Sequence, residues 1–194
     1  FHNLYKELLH FCTVELSAFY FDIRKDTLYC DPKNSEKRKG CIIILNIILN
    51  ALTKWFAPIL SFTTEEIYQL VDKNNKSVHL EEFIDFPQSF ENKNLNKKWL
   101  ELIDIRDKCN ISIEEKRAKK EIGSSLEAEL NINLNNKLRS LTEKIDFAEL
   151  CITSKAIINY QNKDVLSVNT VKASGTKCPV CWKISSEPCA RHSK

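Results

Sequence analysis

The sequence predicts a mainly α-helical protein, in which an antiparallel helix bundle is followed by a small α/β region and a terminal metal-binding knuckle. Apolar residues recur at three- and four-residue steps over the first half of the chain, as on one face of a helix. After Gly123 the apolar period changes to two, which is typical of a half-buried strand. Three of the eight Cys residues lie within the last seventeen residues. We therefore expect three domains, at residues 1–122, 123–173 and 174–194.

The first predicted helix runs from Phe1 to about Tyr29. Its apolar side chains are spaced so that they share one helix face. These side chains are Phe1, Leu4, Tyr5, Leu8, Leu16, Phe19 and Ile23. Asp31-Pro32 then predicts a turn into the next helix, because this dipeptide favours turn conformations.

The second predicted helix is apolar on nearly every face from Cys41 to Leu52, and it follows a basic cluster of Lys37, Arg38 and Lys39. A helix of this kind is usually buried among other helices. A membrane span is the competing interpretation, but the uncharged run is only about a dozen residues and a span needs about twenty. We therefore expect this helix to form the bundle core with the first helix. The predicted core residues are Leu16, Phe19, Ile44, Ile48, Leu52 and Trp55.

Two further helices are predicted in the bundle. Pro58 ends the second helix, because proline disfavours helical geometry in the residue before it. Thr63 is predicted to cap the third helix, with Glu66 reaching back to the first turn. After a polar break at Asp72 to Ser77 and an irregular connection, a fourth helix begins near Leu95 and continues into a heavily charged run.

The α/β region is predicted to contain three strands and one helix. Apolar and polar residues alternate from Leu126 to Leu134, which predicts the first strand. Asn135 to Ile145 has a helical pattern. Leu150 and Ile152 alternate with polar residues again, and Val165 to Lys172 predicts a third strand.

The most specific chemical signal is a pair of short motifs near the end of the chain. Cys178-Pro-Val-Cys181 and Cys189-Ala-Arg-His192 each place two ligands on a tight turn, and together they supply three thiolates and one imidazole. Zinc suits this ligand set, and four protein ligands leave no open position for catalysis. The alternative is that Cys178 and Cys181 form a redox pair and that His192 belongs to a frayed terminus.

Composition limits the other possibilities. The net charge is only +3, so evidence for a nucleic-acid partner must be local. The other five Cys residues stand singly, several among apolar residues, which fits reduced core thiols. The crowding of three Cys residues near the end indicates metal chemistry in a reducing compartment. The sequence has no signal-peptide pattern and does not start with Met, so we expect it to be part of a longer protein.

Four stretches carry a resemblance to a known family: Leu16 to Asp31, Ala57 to Glu66, Lys116 to Ala128 and Cys178 to Trp182. Through them the chain resembles the C-terminal part of bacterial isoleucyl-tRNA synthetases, in the class I aminoacyl-tRNA synthetase family, from end to end. Two departures are visible. Members of the family usually carry a fourth Cys where His192 stands, and a longer insert before the second ligand pair.

The resemblance implies a helical anticodon-binding domain at 1–122, a junction domain at 123–173 and a terminus at 174–194 that binds one Zn²⁺. It implies a cytoplasmic enzyme, monomeric at full length and not bound to a membrane, that charges tRNA(Ile) with isoleucine using ATP. ATP and Mg²⁺ belong to a catalytic domain whose signatures are missing from this sequence, as is the editing domain. The chain alone is therefore expected to be inactive.

The residues expected to contact tRNA are basic side chains that can approach phosphates and one indole that can stack on a base. They are Trp182, Lys183, Arg191, Lys177, Lys116, Arg117, Lys119, Lys120 and Arg38. The terminal segment supports this choice, because Thr170 to Lys194 holds five basic residues and one acid.

Each of these residues also has a structural interpretation. The cluster around Arg38 can be a solvated helix end, and the basic residues at 116–120 can pair with neighbouring Glu residues. Trp182 can pack against the α/β junction instead of stacking on a base. Arg24 and Lys25 are expected to be solvated, whereas Trp55 and Trp99 are expected in the core.

A second functional class stays open at this point. The chain can also be a free-standing nucleic-acid-binding zinc module without enzymatic activity. No nucleophile or general base accompanies acids such as Asp104 and Asp107, so the sequence does not support a hydrolase site.

Overall fold

The computed structural model describes residues 2–72, 76–163 and 166–192. Predictions that fall on Phe1, on residues 73–75 of the polar break, on Val165 and on Lys194 lie outside these residues. Helices make up most of the described structure, and the strands form a small sheet and a short hairpin. The prediction of a mainly α-helical chain is therefore confirmed.

The elements are numbered in chain order. The helices are α1 (His2–His10), a π-helical segment (Phe11–Phe21), α2 (Asp22–Cys30), α3 (Glu36–Phe56), α4 (Ser61–Val71), α5 (Lys93–Ala118), α6 (Arg139–Thr142) and α7 (Phe147–Leu150). Short 3-10 turns lie at Val78–Leu80, Gln88–Phe90, Ser125–Glu127 and Asn136–Leu138. The strands are β1 (Ala128–Asn135), β2 (Lys155–Gln161), β3 (Ser167–Lys172), β4 (Thr176–Lys177) and β5 (Ile184–Ser185).

The described residues form two compact units. The first unit combines the described parts of Phe1–Asp26 and Asn92–Lys194, and the second unit is Thr27–Glu91 without its undescribed residues. The first unit therefore combines segments from early and late in the chain, and Ile23 lies in one core with the side chains of β1.

The first unit is organised around β1, the central strand of a three-stranded sheet. β1 pairs with β2 in parallel and with β3 antiparallel, so that Ile132 lies opposite Ile158 on one side and Val168 on the other. Its inward side chains have no exposed surface: Ala128, Leu130, Ile132 and Leu134. They pack in one core with α5 and α7 side chains, which are Leu102, Ile105, Cys109, Ile113, Phe147 and Leu150. The alternation in the sequence therefore has the expected cause, one buried face.

One predicted strand of this unit is wrong. Leu150 ends the one-turn helix α7, Ile152 has a positive φ of 55°, and the second strand begins only at Lys155. The side chain of Asp146 accepts a hydrogen bond from the Glu149 N–H at 3.1 Å and caps this helix. Because Phe147 and Leu150 are three residues apart, they share the buried face of a helical turn and not of a strand.

The second unit consists of the end of α2, the turn after it, α3, α4 and the described parts of the segment that follows α4. Glu65 in α4 accepts hydrogen bonds from the Val78 N–H and the Ser77 hydroxyl, both at 2.9 Å. Lys54 in α3 forms an ion pair with Glu81 at 3.1 Å. These polar contacts attach the segment after α4 to both helices.

The predicted cap of α4 is wrong. The helix begins at Ser61, two residues before Thr63, and its N-cap residue Leu60 makes no side-chain capping bond. The hydroxyl of Thr64 instead donates to the Leu60 carbonyl at 3.0 Å, one turn back. The Glu65 side chain bonds to the Val78 segment. The polar residues of this turn therefore attach later parts of the chain or earlier carbonyls and do not form a capping box.

The expected burial of α3 is also wrong. Ile44 is 44% exposed, and Ile48, Leu52 and Trp55 are only half-buried. The buried residues of α3 are Cys41, Ala51 and Thr53. Among the described residues of its unit, the main packing partners of this long helix are α4 and the 3-10 turn at Val78–Leu80, and several of its apolar side chains stay exposed. Of the other predicted core residues, Leu16 is buried and Phe19 is partly buried in the first unit.

Among the described residues, α3 has the length and apolar composition of a membrane-crossing helix. Such a helix is weak evidence for a span, since core helices of globular proteins have the same composition. Its uncharged part, between Lys39 and Lys54, is about 14 residues or about 21 Å long. The hydrocarbon core of a bilayer is about 30 Å thick. Asn46 and Asn50 further reduce the apolar character of this part.

Candidate metal centre and basic surfaces

The last described segment, residues 174–192, forms a knuckle around a short hairpin. β4 pairs with β5, and beyond the pair the Cys178 N–H donates to the Lys183 carbonyl at 2.9 Å. Gly175 has a φ of +122°, and a Cβ there would lie 2.1 Å from the Ser185 carbonyl oxygen. Only glycine fits at this position. The hairpin therefore places Cys178 and Cys181 at its tip.

The two ligand motifs meet in the knuckle. One ligand atom from each of Cys178, Cys181, Cys189 and His192 lies within 4.8 Å of the others. The Cys181 and Cys189 sulfurs are 3.8 Å apart, and the Nδ1 of His192 lies 3.5 Å from the Cys178 sulfur and 3.3 Å from the Cys189 sulfur. His192 therefore belongs to the cluster and is not a frayed terminal residue.

These separations fit a four-coordinate metal ion. Around a tetrahedral zinc with ordinary bond lengths, two sulfurs are about 3.8 Å apart and a sulfur and a nitrogen about 3.6 Å apart. The three distances between ligand atoms match these edges within a few tenths of an ångström. The donor set and its spacing are therefore compatible with one bound metal ion.

The surroundings of the thiols favour ionisation at two of the three cysteines. Hydrogen bonds from the backbone N–H groups of Cys181 and Val180 lower the pKa of Cys178 to about 6. At Cys189 burial opposes ionisation, but hydrogen bonds, first from the Arg191 N–H, lower the pKa overall. Burial raises the pKa of Cys181. Since thiolates are the metal-binding form, the turns around Cys178 and Cys189 prepare those ligands.

Trp182 stands beside the cluster with most of its surface in solvent. It is 58% exposed, and its backbone lies in the left-handed region with a φ of 62°. The backbone N–H of Trp182 donates to the Cys178 carbonyl at 3.0 Å. The Lys177 ammonium lies 5.5 Å from the centre of the indole. The indole is therefore attached to the turn by its backbone and is not buried against the sheet.

The sequence predicts exposed cations at Arg191 and Lys183, but the Arg191 side chain and Lys183 are both partly buried. The Arg191 guanidinium makes two hydrogen bonds to the Asp26 carboxylate, at 2.8 and 3.0 Å. Lys183 is half-buried next to the ligand turn, where its carbonyl accepts the hydrogen bond from the Cys178 N–H. Asp26 lies in the family-like stretch Leu16 to Asp31, but no local pattern singled it out, because its partner is 165 residues away.

Of the four basic residues at the end of α5, two form ion pairs with Glu residues and two are exposed. Lys116 pairs with Glu121 and Arg117 with Glu114, each at 2.7 Å, as the structural interpretation of this charged run expects. Lys119 and Lys120 are exposed beyond them. This end of α5 therefore presents fewer available cations than its sequence suggests.

Arg38 is the remaining residue expected to contact tRNA, whereas Arg24 is expected to be solvated and Trp99 to be buried. Arg38, in the second unit, is half-buried and donates to the Asp31 carbonyl at 2.8 Å. Arg24 is not solvated as expected, because it forms a 2.8 Å ion pair with Glu149. Trp99 packs edge-on against Phe19 in the first unit, with ring centres 6.1 Å apart.

Trp55 packs in the same way against Phe86 in the second unit, with ring centres 6.1 Å apart. Both Trp55 and Trp99 thus make packing contacts with phenylalanine rings, and Trp182 is the tryptophan with the most exposed indole among the described residues.

Comparison with known proteins identifies the family. The family described as anticodon-binding domain of tRNA ligase matches residues 1–132. The chain is 64% identical to isoleucine–tRNA ligase of Pelagibacter ubique over 193 residues, which are all of this chain and 21% of that protein. It is 39% identical to isoleucine–tRNA ligase of Bartonella henselae and 36% identical to that of Agrobacterium fabrum, over 96% of this chain and 20% of each relative. The chain thus spans about a fifth of the length of these relatives, and it belongs to the anticodon-binding domain family of tRNA ligases.

Proposed function

We propose that this chain is the tRNA-binding C-terminal part of an isoleucine–tRNA ligase and that it recognises the anticodon arm of tRNA(Ile) during protein synthesis. The observation that carries this proposal is 64% identity to such a ligase over the whole chain. The complete enzyme joins isoleucine to tRNA(Ile) with ATP. ATP and Mg²⁺ act in its catalytic domain, so the 194 residues bind tRNA without charging it. We place the enzyme in the cytoplasm as a monomer.

The domain boundaries of this proposal follow the sequence. An antiparallel helix bundle at 1–122 is the anticodon-binding domain, an α/β junction occupies 123–173, and a zinc-binding terminus occupies 174–194. The apolar helices and the small sheet support a mainly helical RNA-binding body that carries a small terminal module.

Within the terminus, Cys178, Cys181, Cys189 and His192 would hold one Zn²⁺. A tetrahedral zinc bound by four protein ligands supplies a structural cross-link and no reaction chemistry. The knuckle is too short to build its own apolar core, so such a cross-link would give it a defined shape. The lowered pKa values of Cys178 and Cys189 support this role, since both shifts favour the thiolate form that binds metal.

We infer that the exposed indole of Trp182 stacks on an unpaired base of the anticodon arm. Lys177, Lys119 and Lys120 are exposed and suit contacts with phosphates. Lys183, Lys116, Arg117 and Arg38 belong to the same proposal as further basic candidates, and of these Lys116, Arg117 and Arg38 also contact protein groups.

Binding of tRNA(Ile) by the purified chain tests the proposal. We expect binding that weakens as salt rises and no formation of isoleucyl-tRNA. Trp182→Ala should weaken binding by about 1–3 kcal/mol with zinc retained, whereas Trp99→Ala should destabilise the fold without a specific effect on the folded protein's affinity. Equal affinity of the Trp182→Ala variant would contradict base stacking, and equal binding of unrelated RNA would favour a general nucleic-acid-binding module.

A further inference from the structure

The first pair of ligand residues is attached to the sheet through Ser154. The hydroxyl of Ser154 accepts a hydrogen bond from the Ile184 N–H at 2.6 Å and donates to the Leu126 carbonyl at 2.5 Å. Its own N–H donates to the Ala128 carbonyl at 3.1 Å. Ser154 therefore connects the hairpin that carries Cys178 and Cys181 to the beginning of β1.

The second pair of ligand residues is attached to helix α2 through Arg191. This residue lies between Cys189 and His192, and its guanidinium binds both oxygens of Asp26. The side chains of Arg191 and Asp26 are 30% and 23% exposed, so the pair is partly shielded from water. A planar two-bond contact of this kind restrains direction as well as distance.

The two attachments together restrain the orientation of the knuckle. One attachment allows the knuckle to rotate about the contact, whereas two separate attachments oppose rotation. Trp182 lies between the two ligand pairs in the chain, so the direction of its indole depends on both contacts. We propose that Asp26 and Ser154 are positioning residues that aim Trp182 at tRNA, and that Arg191 serves this attachment and does not contact a phosphate. This inference rests on the proposed function of the chain.

Charge alone predicts the opposite effect of a mutation at Asp26. Removing an acid near an RNA-binding surface raises the local positive potential and should tighten binding. Removing a positioning residue should weaken binding. The indole would then lose its conformational freedom only when tRNA binds, and this loss of entropy would reduce the affinity. The sign of the change in affinity therefore separates the two interpretations.

The experiment is a mutant cycle on the zinc-loaded chain, with Asp26→Ala, Arg191→Ala, both together, and the exchanged pair Asp26→Arg with Arg191→Asp. The readouts are affinity for tRNA(Ile) at fixed salt, zinc content, and hydrogen exchange of the backbone at residues 176–192. We expect Asp26→Ala to weaken binding about three- to tenfold and to speed exchange in the knuckle, with zinc retained. The double variant should bind no more weakly than Arg191→Ala, and the exchanged pair should recover part of the loss.

Asp22→Ala is the matched control, because it removes an acid one turn earlier on the same helix, where Asp22 forms an ion pair with the neighbouring Lys25. It should leave exchange at residues 176–192 unchanged. The inference is overturned if Asp26→Ala binds tRNA(Ile) as tightly as the unmodified chain, or if its knuckle exchanges at the unmodified rate. If the unmodified chain itself does not bind tRNA(Ile), the proposed function fails. Hydrogen exchange then decides the attachment alone, with faster exchange supporting it and unchanged exchange refuting it.

Discussion

β1 and α3 are both rich in apolar residues, yet only the strand is buried. Four alternate side chains of β1, from Ala128 to Leu134, have no exposed surface, whereas Ile43 and Ile44 of α3 are 59% and 44% exposed. The strand has a partner on each edge and α5 against its inner face. An apolar pattern therefore predicts burial well when its apolar residues lie on one face of the element, and poorly when every face is apolar.

The largest expected difference between β1 and α3 is in the loss of unfolding free energy when a charged residue replaces an apolar one. Ile132→Asp in β1 should cost about 4 kcal/mol or more of unfolding free energy, because the charge would be buried without a partner. Ile43→Asp in α3 should cost less than about 0.5 kcal/mol, since the new carboxylate reaches water. Urea unfolding of the two variants measures the difference. Equal losses would show that α3 is buried in solution.

Removal of the metal should affect the knuckle, a third kind of region. We expect metal ligands, and not a buried apolar face, to stabilise it. Treating the zinc-loaded chain with a chelator, or introducing Cys178→Ser, should speed backbone hydrogen exchange at residues 176–192 and leave β1 protected. The matched control is Cys41→Ser in the second unit, which leaves the ligand set intact. Unchanged exchange in the knuckle after metal removal would show that its hairpin is ordered without the ion.

The smallest expected effect concerns the polar contacts that organise the second unit. The hydrogen bond from Gln69, followed by those from Ser77 and the Val78 N–H, lowers the pKa of Glu65. A lowered folded-state pKa adds stability above the unfolded value of about 4.3, and this stability is lost as the pH falls through the folded value. Protection of the Val78 amide should therefore decrease in acid, as the pH falls through the lowered pKa of Glu65.

Glu65→Gln should remove this acid-dependent loss, because the amide side chain does not titrate in that range. The neighbouring, exposed Glu66→Gln is the matched control and should keep it. Amide exchange of Val78, followed by NMR from pH 6 to pH 3, measures both variants. A pH dependence that survives Glu65→Gln would assign the transition to another acid.

Local sequence patterns determined much of this protein. Period-two alternation located β1, Ser35 caps α3 directly after the predicted turn, and the Cys and His spacing named the four residues whose ligand atoms lie together. These features arise from interactions within a few residues along the chain, so the order of residue types contains them. The same reasoning missed the α7 turn, because Leu150 and Ile152 have strand-like spacing whereas the buried pair is Phe147 and Leu150.

Only the tertiary structure decided which surfaces and charges meet. The apolar run of α3 contains no information on what covers it, since a helix that is apolar all round specifies no single partner face. The contact between Arg191 and Asp26 joins residues 165 positions apart, and Ser154 meets the hairpin across 30 positions. Pairings at such distances depend on how the sheet, α2 and the knuckle are placed together, and no local period or motif spacing encodes that placement.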